Sequence, residues 1–137
     1  MIVADTGAIL ALLDKSDRHY AAVRELYDDR PDDWVLPWAI LPEVDYLVGS
    51  EMGARAQEAF LEDLAEGAFA VEYGKDEDLV RAHAIGRKYR SLNLGLVDAV
   101  VIATAERLRV DAIATLDLRH FGSVKIAGSP RLLPRDV

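Results

Sequence analysis

Short apolar runs that alternate with longer amphipathic stretches constrain this chain more than any other feature of its sequence. The intervening stretches carry apolar residues at helical spacing, and strands that alternate with helices form a parallel sheet covered by helices on both faces. The sequence therefore predicts an α/β fold with a central, mostly parallel sheet of about five short strands. The predicted strands are 2–4, 34–36, 69–71, 112–114 and 124–126.

Six helices are predicted around these strands. Asp17 is a suitable N-cap for the second helix, and Asp76 is one for the fifth. Prolines flank the start of the third helix, and the pair Gly49-Ser50 is predicted to end it. The predicted spans are approximately 8–13, 17–27, 42–48, 51–66, 76–90 and 96–108.

Length and composition narrow the class of protein. The 137 residues suit a single domain spanning 1–137, and the absence of cysteine excludes disulfides, zinc–thiolate sites and thiol nucleophiles. No apolar run approaches the roughly 18 residues of a membrane-spanning helix. Asp5 interrupts the apolar N-terminus, which has no basic residues at its start, so no signal peptide is expected. These features favour a cytoplasmic protein with no membrane partner.

The formal net charge of −8 argues against sequence-independent binding of nucleic acid through a generally basic surface. It suits a basic partner or bound cations. Two local stretches differ, because residues 87–90 and 119–120 are basic. Residues 87–90 form either a track for RNA or a cationic helix C-terminus that offsets the helix dipole, and the second interpretation is favoured.

Two aspartates lie at or shortly after the carboxyl ends of predicted strands. Asp5 ends the run 2–4, and Asp117 ends the segment 112–116. The carboxyl ends of parallel strands meet at one edge of the sheet, where the active sites of such folds lie. Asp5 is either a site residue or the N-cap of the following helix. Asp117 is either a site residue or a loop aspartate that begins a turn.

Glu43 is distinguished from its neighbour Asp45 by helical geometry. At about 100° per residue, Glu43 falls within an arc that also contains Ile40, Tyr46 and Leu47. Asp45 lies about 160° from the middle of that arc, so it is expected to face solvent. The alternative interpretation of Glu43 is a boundary residue, or a first-turn acid favoured by the helix dipole.

Asp98 lies in a helical segment, 96–103, whose other residues are all apolar. Ile102 and Ala105 project in nearly the same direction as Asp98. A helix that is apolar all round is buried, and a buried carboxylate costs several kcal/mol unless a cation or hydrogen bonds compensate it. A capping role after Gly95 is less consistent, because the helical pattern begins before Asp98.

Together the four acids favour a metal site. Two unit charges about 4 Å apart repel each other by roughly 4 kcal/mol at an effective dielectric constant of 20, so clustered carboxylates need protons or a hard cation. All-oxygen ligands select Mg²⁺ or Mn²⁺, with Ca²⁺ as an alternative. Such a metal activates water and offsets charge on a phosphoryl oxygen, which fits phosphodiester hydrolysis. The three histidines lack the spacing of zinc ligands.

Four segments resemble PIN-domain endoribonucleases of the bacterial VapC toxin type, in order and in approximate separation. They are 2–8, 42–47, 95–105 and 114–121. The resemblance covers essentially the whole chain. It implies a three-layer sandwich with a central parallel sheet, RNA cleavage with Mg²⁺ or Mn²⁺, an antitoxin that blocks the site, and a homodimer.

The resemblance carries over to individual residues. Thr6 and Thr115 match the small hydroxyl positions beside the first and last acids, whereas Gly7 departs from the serine or other small residue that is frequent there. Our hypothesis is that Asp5, Asp98 and Asp117 hold one or two metal ions, directly or through water, and that Glu43 helps to bind the metal or orients the attacking water. The catalytic and metal-binding acids are assigned as Asp5, Glu43, Asp98 and Asp117.

Two residues near the last acid are candidates for contact with RNA. The fork of Arg119 matches phosphate oxygens. His120 either contacts RNA or has a surface or packing role, and the second is favoured.

Other functions stay open on the sequence alone. They are a non-toxin PIN nuclease in RNA processing, a catalytically silent PIN-like binding module, and a Mg²⁺-dependent phosphotransfer domain such as a receiver or a phosphatase. The last is disfavoured, because Asp5 is followed by Thr-Gly without a paired second acid and no lysine ends a late strand.

Overall fold

The computed structural model describes all 137 residues and contains one five-stranded sheet. Every pair of neighbouring strands is parallel, and the strand order is β3-β2-β1-β4-β5. The predicted α/β class is therefore confirmed, with a sheet that is parallel throughout. The strands are β1 (Ile2–Ala4), β2 (Trp34–Pro37), β3 (Ala70–Glu72), β4 (Ala112–Ala114) and β5 (Arg131–Leu133).

Seven α-helices surround this sheet, together with three short 3₁₀ turns at Pro31–Asp33, Trp38–Ile40 and Arg90–Leu92. None of the helices is both long and apolar enough to cross a bilayer. The helices are α1 (Thr6–Leu13), α2 (Tyr20–Asp29), α3 (Leu41–Met52), α4 (Ala54–Ala65), α5 (Asp76–Lys88), α6 (Gly95–Leu108) and α7 (Leu118–Phe121).

The central strand β1 sits where the direction of strand addition reverses. From β1 the chain adds β2 and β3 on one side, and it later returns to add β4 and β5 on the other. In open parallel sheets, the crevice for ligands lies outside the carboxyl ends of the strands at such a reversal. The fold therefore places its crevice beside the ends of β1 and β4.

The register between β1 and β4 aligns their carboxyl ends. Ala4 pairs with Ala114, and the backbone N–H of Asp5 donates to the carbonyl of Ala114 at 3.0 Å. Both strands are entirely buried, which explains why they are continuous apolar runs and do not alternate with polar residues. The residues that follow them, Asp5 and Thr115, consequently emerge next to each other.

The prediction of a strand at 124–126 is wrong. The fifth strand is Arg131–Leu133, which pairs with β4, and residues 124–126 form irregular structure. Val124 and Ile126 are buried, whereas Lys125 between them is exposed. A loop that packs two side chains on the core produces the same alternation as a short strand, so the pattern does not separate the two.

The predicted boundary between the third and fourth helices is also wrong. Helix α3 continues through Gly49 to Met52, and the break falls at Gly53, which has a positive φ of 93°. A Cβ at Gly49 would lie only 2.8 Å from the side chain of Gln57. Gly49 therefore permits close packing between α3 and α4. The short helix α7 was not predicted.

A partly buried ion cluster joins helix α6 to α5 and β3. Arg107 donates to Asp78 at 2.7 and 3.0 Å and to Glu72 at 2.8 Å. The side chain of Asp78 is only 5% exposed and that of Arg107 is 16% exposed. Burial raises the pKa of Asp78, but hydrogen bonds from Arg107 and from the Lys75 N–H outweigh it, so the pKa lies below its ordinary value.

We expect Arg107→Met to lower the free energy of unfolding by about 3 kcal/mol, because it keeps the apolar stem but leaves the Asp78 carboxylate buried without a partner. Arg24→Met removes one side of an exposed ion pair with Asp28 and should leave the unfolding midpoint nearly unchanged. Urea unfolding of both variants measures the difference. Equal, small losses would show that the cluster does not stabilise the attachment of α6.

Candidate active site

The four predicted acids all lie at the carboxyl edge of the sheet. Asp5 follows β1, and Asp117 lies three residues beyond the end of β4. Asp98 and Glu43 belong to the first turns of α6 and α3, respectively. Two strand ends and two helix beginnings thus converge on the crevice that the topology provides.

Asp5 is the most deeply buried of the four, with 4% of its surface exposed. Its carboxylate accepts a hydrogen bond from the Ala8 N–H at 2.8 Å and another from the Thr115 hydroxyl. Asp5 is therefore the N-cap of α1, which was one of the two interpretations of this residue from the sequence. It also lies at the carboxyl edge of the sheet, so the two interpretations do not exclude each other. Capping also fixes the carboxylate in one orientation.

Thr115 links the two strand-end aspartates. It is buried, its hydroxyl donates to Asp5, and the same oxygen accepts from the backbone N–H of Asp117 at 3.0 Å. The hydroxyl position carried over from the family resemblance therefore sets the relative placement of two acids. The Thr6 hydroxyl is buried without a hydrogen-bond partner in the chain.

His120 lies between two of the acids. Its Nδ1 is 2.7 Å from Asp98 and 3.2 Å from Asp117, and its backbone N–H donates to Asp117 at 3.0 Å. One ligand atom from each of these three residues lies within 4.8 Å of the others. The sequence analysis favoured a surface or packing role for His120 and did not predict its contact with the two acids. Its sequence signal was the i,i+3 spacing from Asp117, which becomes a contact only because α7 forms.

The convergence of acids changes their proton affinity. Burial raises the pKa of Asp5 to about 6, and the charges of Asp98 and Asp117 add to this, against hydrogen bonds from Thr115 and the Ala8 N–H. Burial also raises the pKa of Asp98, with contributions from Asp117 and Glu43, against the opposing contact with His120. The site therefore concentrates negative charge that its surroundings do not fully compensate.

The helical argument that singled out Glu43 is wrong in its geometry. The buried face of α3 is formed by Leu41, Val44 and Val48, and Glu43 is exposed. Asp45 does not face solvent freely, since it is half-buried and accepts a hydrogen bond from Gln57 on α4 at 3.1 Å. Glu43 nonetheless lies close enough to Asp98 for its charge to raise the pKa of Asp98.

The argument for Asp98 is only partly right. Ile102 and Ala105 are buried, as the pattern requires. Leu96, however, is 65% exposed, so α6 is not buried on all sides although its first half is apolar all round. The Asp98 side chain is 24% exposed, so it is only partly buried. Arg119 is exposed and takes part in no ion pair within 4 Å of a carboxylate.

The donor set fits a hard divalent cation. Carboxylate oxygens predominate, and the raised pKa values of Asp5 and Asp98 mean that added positive charge would be favourable here. The residues brought closest are Asp98, Asp117 and His120, while Asp5 is joined to Asp117 through Thr115.

Comparisons with known proteins agree with this fold. The PIN domain family matches residues 2–126. Ribonuclease VapC26 of Mycobacterium tuberculosis (strain ATCC 25618 / H37Rv) is 35% identical over 130 residues, which cover 95% of this chain and 96% of that protein. The chain therefore belongs to the PIN-domain family, within its VapC group of ribonucleases, as the sequence motifs indicated.

Solved structures share the fold at low sequence identity. Mycobacterium tuberculosis VapC20, described as a sarcin-ricin loop cleaving toxin, has a TM-score of 0.75 at 19% identity, covering 82% of this chain and 87% of that one. DNA-bound VapBC from Salmonella typhimurium has a TM-score of 0.72 at 17% identity, covering 96% of this chain and 95% of that one. These likenesses confirm the PIN-like sandwich.

The raised pKa of Asp5 predicts a specific pH dependence of stability in metal-free protein. Because the folded state holds this proton more tightly than the unfolded state, the free energy of unfolding falls as pH rises from the ordinary value of 3.8 through about 6. The difference between these two pKa values lowers the free energy of unfolding by about 3 kcal/mol between acidic and neutral pH. Asp5→Asn should remove most of this penalty.

Urea unfolding in EDTA at about pH 4 and about pH 7.5 measures the effect. Asp5→Asn should gain stability relative to the native protein only at the higher pH, and the exposed Asp63→Asn provides a charge-matched control. A variant that is no more stable than the native chain at the higher pH contradicts the assignment of an unfavourable charge to Asp5.

Proposed function

We propose that this chain is a Mg²⁺-dependent endoribonuclease toxin, with Mn²⁺ as a substitute metal, that hydrolyses phosphodiester bonds in RNA. The observation that carries the proposal is the convergence of strand-end and helix-start carboxylates on one crevice, with two of their pKa values raised. Membership of the VapC group of ribonucleases supports RNA as the substrate.

The proposed ligands of the metal are Asp5, Asp98 and Asp117, with Glu43 acting directly or through water. When bound, the metal supplies Lewis acidity, stabilising negative charge on the phosphate and lowering the pKa of water. Asp5 keeps its orientation because the Ala8 N–H and the Thr115 hydroxyl hold both carboxylate oxygens.

Glu43 has the exposure and position to handle water. It is exposed, and it lies near enough to Asp98 for its charge to raise the pKa of Asp98. There it would accept a hydrogen bond from the attacking water and orient its oxygen towards phosphorus. As the new P–O bond forms, the water loses a proton to this carboxylate or to solvent, and the leaving oxygen gains one as its bond to phosphorus breaks.

His120 is proposed to position the two acids that it contacts. The ring nitrogen spans Asp98 and Asp117 at 2.7 and 3.2 Å, so it keeps them close despite their like charge. Of the two residues considered for contact with RNA, Arg119 is therefore the better candidate. Arg119 is free to meet a phosphate, whereas the Nδ1 atom of His120 is engaged with the acids.

A VapB-type antitoxin is the proposed protein partner. The Salmonella neighbour is a VapBC complex, and another neighbour is a toxin–antitoxin complex from Klebsiella pneumoniae. The net charge of −8 and the crevice of carboxylates favour an antitoxin segment that carries an arginine or lysine side chain into the site. Such a side chain would offset the same negative charge as the metal. The cytoplasm is the proposed compartment, where RNA and antitoxin are both present.

A homodimer is also proposed, through an exposed aromatic patch formed by Trp38 and Tyr73. Their rings lie 5.2 Å apart, and they are 51% and 73% exposed. Aromatic side chains are enriched at protein interfaces, because each of them removes a large apolar area from water when it is buried there. The other tryptophan, Trp34, is buried in the core and is not part of this patch.

Substitution of the acids tests the enzymatic proposal. Asp5→Ala and Asp98→Ala should each abolish RNA cleavage in Mg²⁺ or Mn²⁺ while the protein stays folded. Glu43→Gln should slow cleavage by about 100-fold or more, as expected for loss of a group that handles the proton. Asp45→Asn, two positions away, should cleave as the native chain does.

Cleavage of total RNA by antitoxin-free protein, with circular dichroism as the folding control, provides the measurement. Undiminished activity of Asp5→Ala or Asp98→Ala would refute the site. A native protein that cleaves no RNA in Mn²⁺ would instead favour the silent binding module.

If the aromatic patch forms the dimer interface, carboxylates introduced into it should prevent dimerisation. Trp38→Asp with Tyr73→Asp should convert a dimer into a monomer, because the interface would have to bury two carboxylates. Val137→Asp, at the exposed C-terminus, should leave the mass unchanged. Size-exclusion chromatography with light scattering measures this, and a double variant that stays dimeric places the interface elsewhere.

A further inference from the structure

A groove of about 410 Å³ lies between the last turns of α5 and the first turn of α6. Its polar lining consists of His83, Arg87, Arg90 and Asn93, all of them exposed, and no carboxylate lines it. The chain has 24 acidic residues against 16 lysines and arginines, so a groove with only basic and neutral side chains is contrary to the general character of the surface. We call this feature the α5–α6 groove.

The two arginines of the groove have no partner within the chain. Neither Arg87 nor Arg90 forms an ion pair or donates a side-chain hydrogen bond. Ion pairs with carboxylates involve other arginines, namely Arg24, Arg30, Arg81, Arg107, Arg131 and Arg135. The guanidinium groups of Arg87 and Arg90 are therefore available to an external anion.

The alternative explanation from the helix dipole does not account for both arginines. Arg87 lies in the last turn of α5, where a cation offsets the dipole. Arg90 lies beyond the end of that helix, in the 3₁₀ turn Arg90–Leu92, yet lines the same groove. The shared feature of the two residues is the groove and not a helix terminus.

Helix α6 connects the groove to the carboxylates. Gly95, Leu96 and Ala99 line the groove, while Asp98, in the same turn, belongs to the proposed active site. Gly95 and Asp98 differ by about 4.5 Å along the helix axis, and Asp98 projects roughly 100° away from the groove side of the helix. A strand that is held at Asp98 and runs along α6 towards Gly95 would pass its neighbouring nucleotides across the groove.

We propose that the α5–α6 groove binds the phosphates of the RNA strand next to the cleavage position, with Arg87 and Arg90 as the principal contacts. This inference rests on the proposed ribonuclease function. Guanidinium forks bind phosphate oxygens through two parallel hydrogen bonds, and Asn93 adds a donor. Exposed Leu79 and Leu96 offer apolar surface against which a ribose or base packs.

A protein ligand fits the groove less well. An acidic peptide would meet the same arginines, but the immediate neighbourhood of the active-site carboxylates disfavours additional carboxylates. RNA phosphates have the same sign, yet the proposed metal and the exposed Arg119, two residues after Asp117, offer cations to them. The groove thus supplies positive charge where an acidic protein otherwise repels its polyanionic substrate.

Binding of a non-cleaved strand tests the proposal directly. Fluorescence anisotropy in EDTA would measure the affinity for fluorescein-labelled oligouridine, which is suitable because phosphate contacts do not depend on sequence. The double variant Arg87→Ala with Arg90→Ala should bind about tenfold more weakly or worse. The slope of log affinity against log salt should also fall by about 1.4, or about 0.7 for each lost phosphate contact.

A matched control removes two cations from the opposite end of the molecule. Lys15 follows the end of α1 and Arg55 lies in the first turn of α4. Both helix ends lie away from the carboxyl edge of the sheet, and neither residue forms an ion pair. Lys15→Ala with Arg55→Ala changes the net charge by the same amount and should leave the affinity and salt slope nearly unchanged. If both double variants weaken binding equally, the effect belongs to net charge and the groove proposal is wrong.

Cleavage kinetics separate the groove from the proposed function. With long RNA in Mn²⁺, Arg87→Ala with Arg90→Ala should raise KM about tenfold with kcat unchanged, because the acids are intact. If the native protein cleaves RNA and the double variant matches it in affinity and KM, the groove proposal alone is overturned. If the native protein neither binds nor cleaves RNA, the proposed function fails and takes the groove proposal with it. Loss of antitoxin binding or of the dimer, with RNA affinity unchanged, assigns the groove to a protein contact and overturns it.

Discussion

The parallel pairing of β1 with β4 sets the positions of three of the four acids, namely Asp5, Asp98 and Asp117. A single backbone hydrogen bond, from the Asp5 N–H to the Ala114 carbonyl, ends the ladder and places Asp5 next to Thr115. From there the Thr115 hydroxyl joins Asp5 to the backbone of Asp117, and His120 joins Asp117 to Asp98 on α6. A shift of one residue in this register would separate Asp5 from Thr115, and the chain of contacts to Asp98 would begin from the wrong side of the sheet.

This arrangement works against the stability of the folded chain. Asp5 is nearly inaccessible to water, and both it and Asp98 hold protons more tightly than ordinary aspartates because of burial and neighbouring charges. The surrounding structure offsets the cost through an apolar core of 31 buried residues and through hydrogen bonds that hold the acids in place. Unfavourable charge held by a rigid frame is what a cation-binding site requires, because the cation then relieves repulsion that is already present.

The sequence predicted the elements that build the centre of the sheet and both strand-end acids, because buried parallel strands and their carboxyl ends leave strong local patterns. It failed where two structures give the same pattern, as at Val124 and Ile126, which are loop residues packed on the core. The helical arc around Glu43 predicted the wrong buried face of α3, since packing against α4 and α1 determines that face. His120 was missed because its contact with Asp98 joins residues 22 positions apart. The family resemblance, more than helical geometry, identified Glu43.

The central claim is that the carboxylates form one divalent-metal site, and titration of Mn²⁺ into metal-free, antitoxin-free protein tests it without reference to activity. The account predicts saturable heat of binding for the native chain, and the same for Asp63→Asn, which alters an exposed acid on α4. Asp98→Asn combined with Asp117→Asn should show no saturable binding in the same concentration range while unfolding cooperatively. Mn²⁺ binding by that folded double variant with the affinity of the native chain would contradict the account.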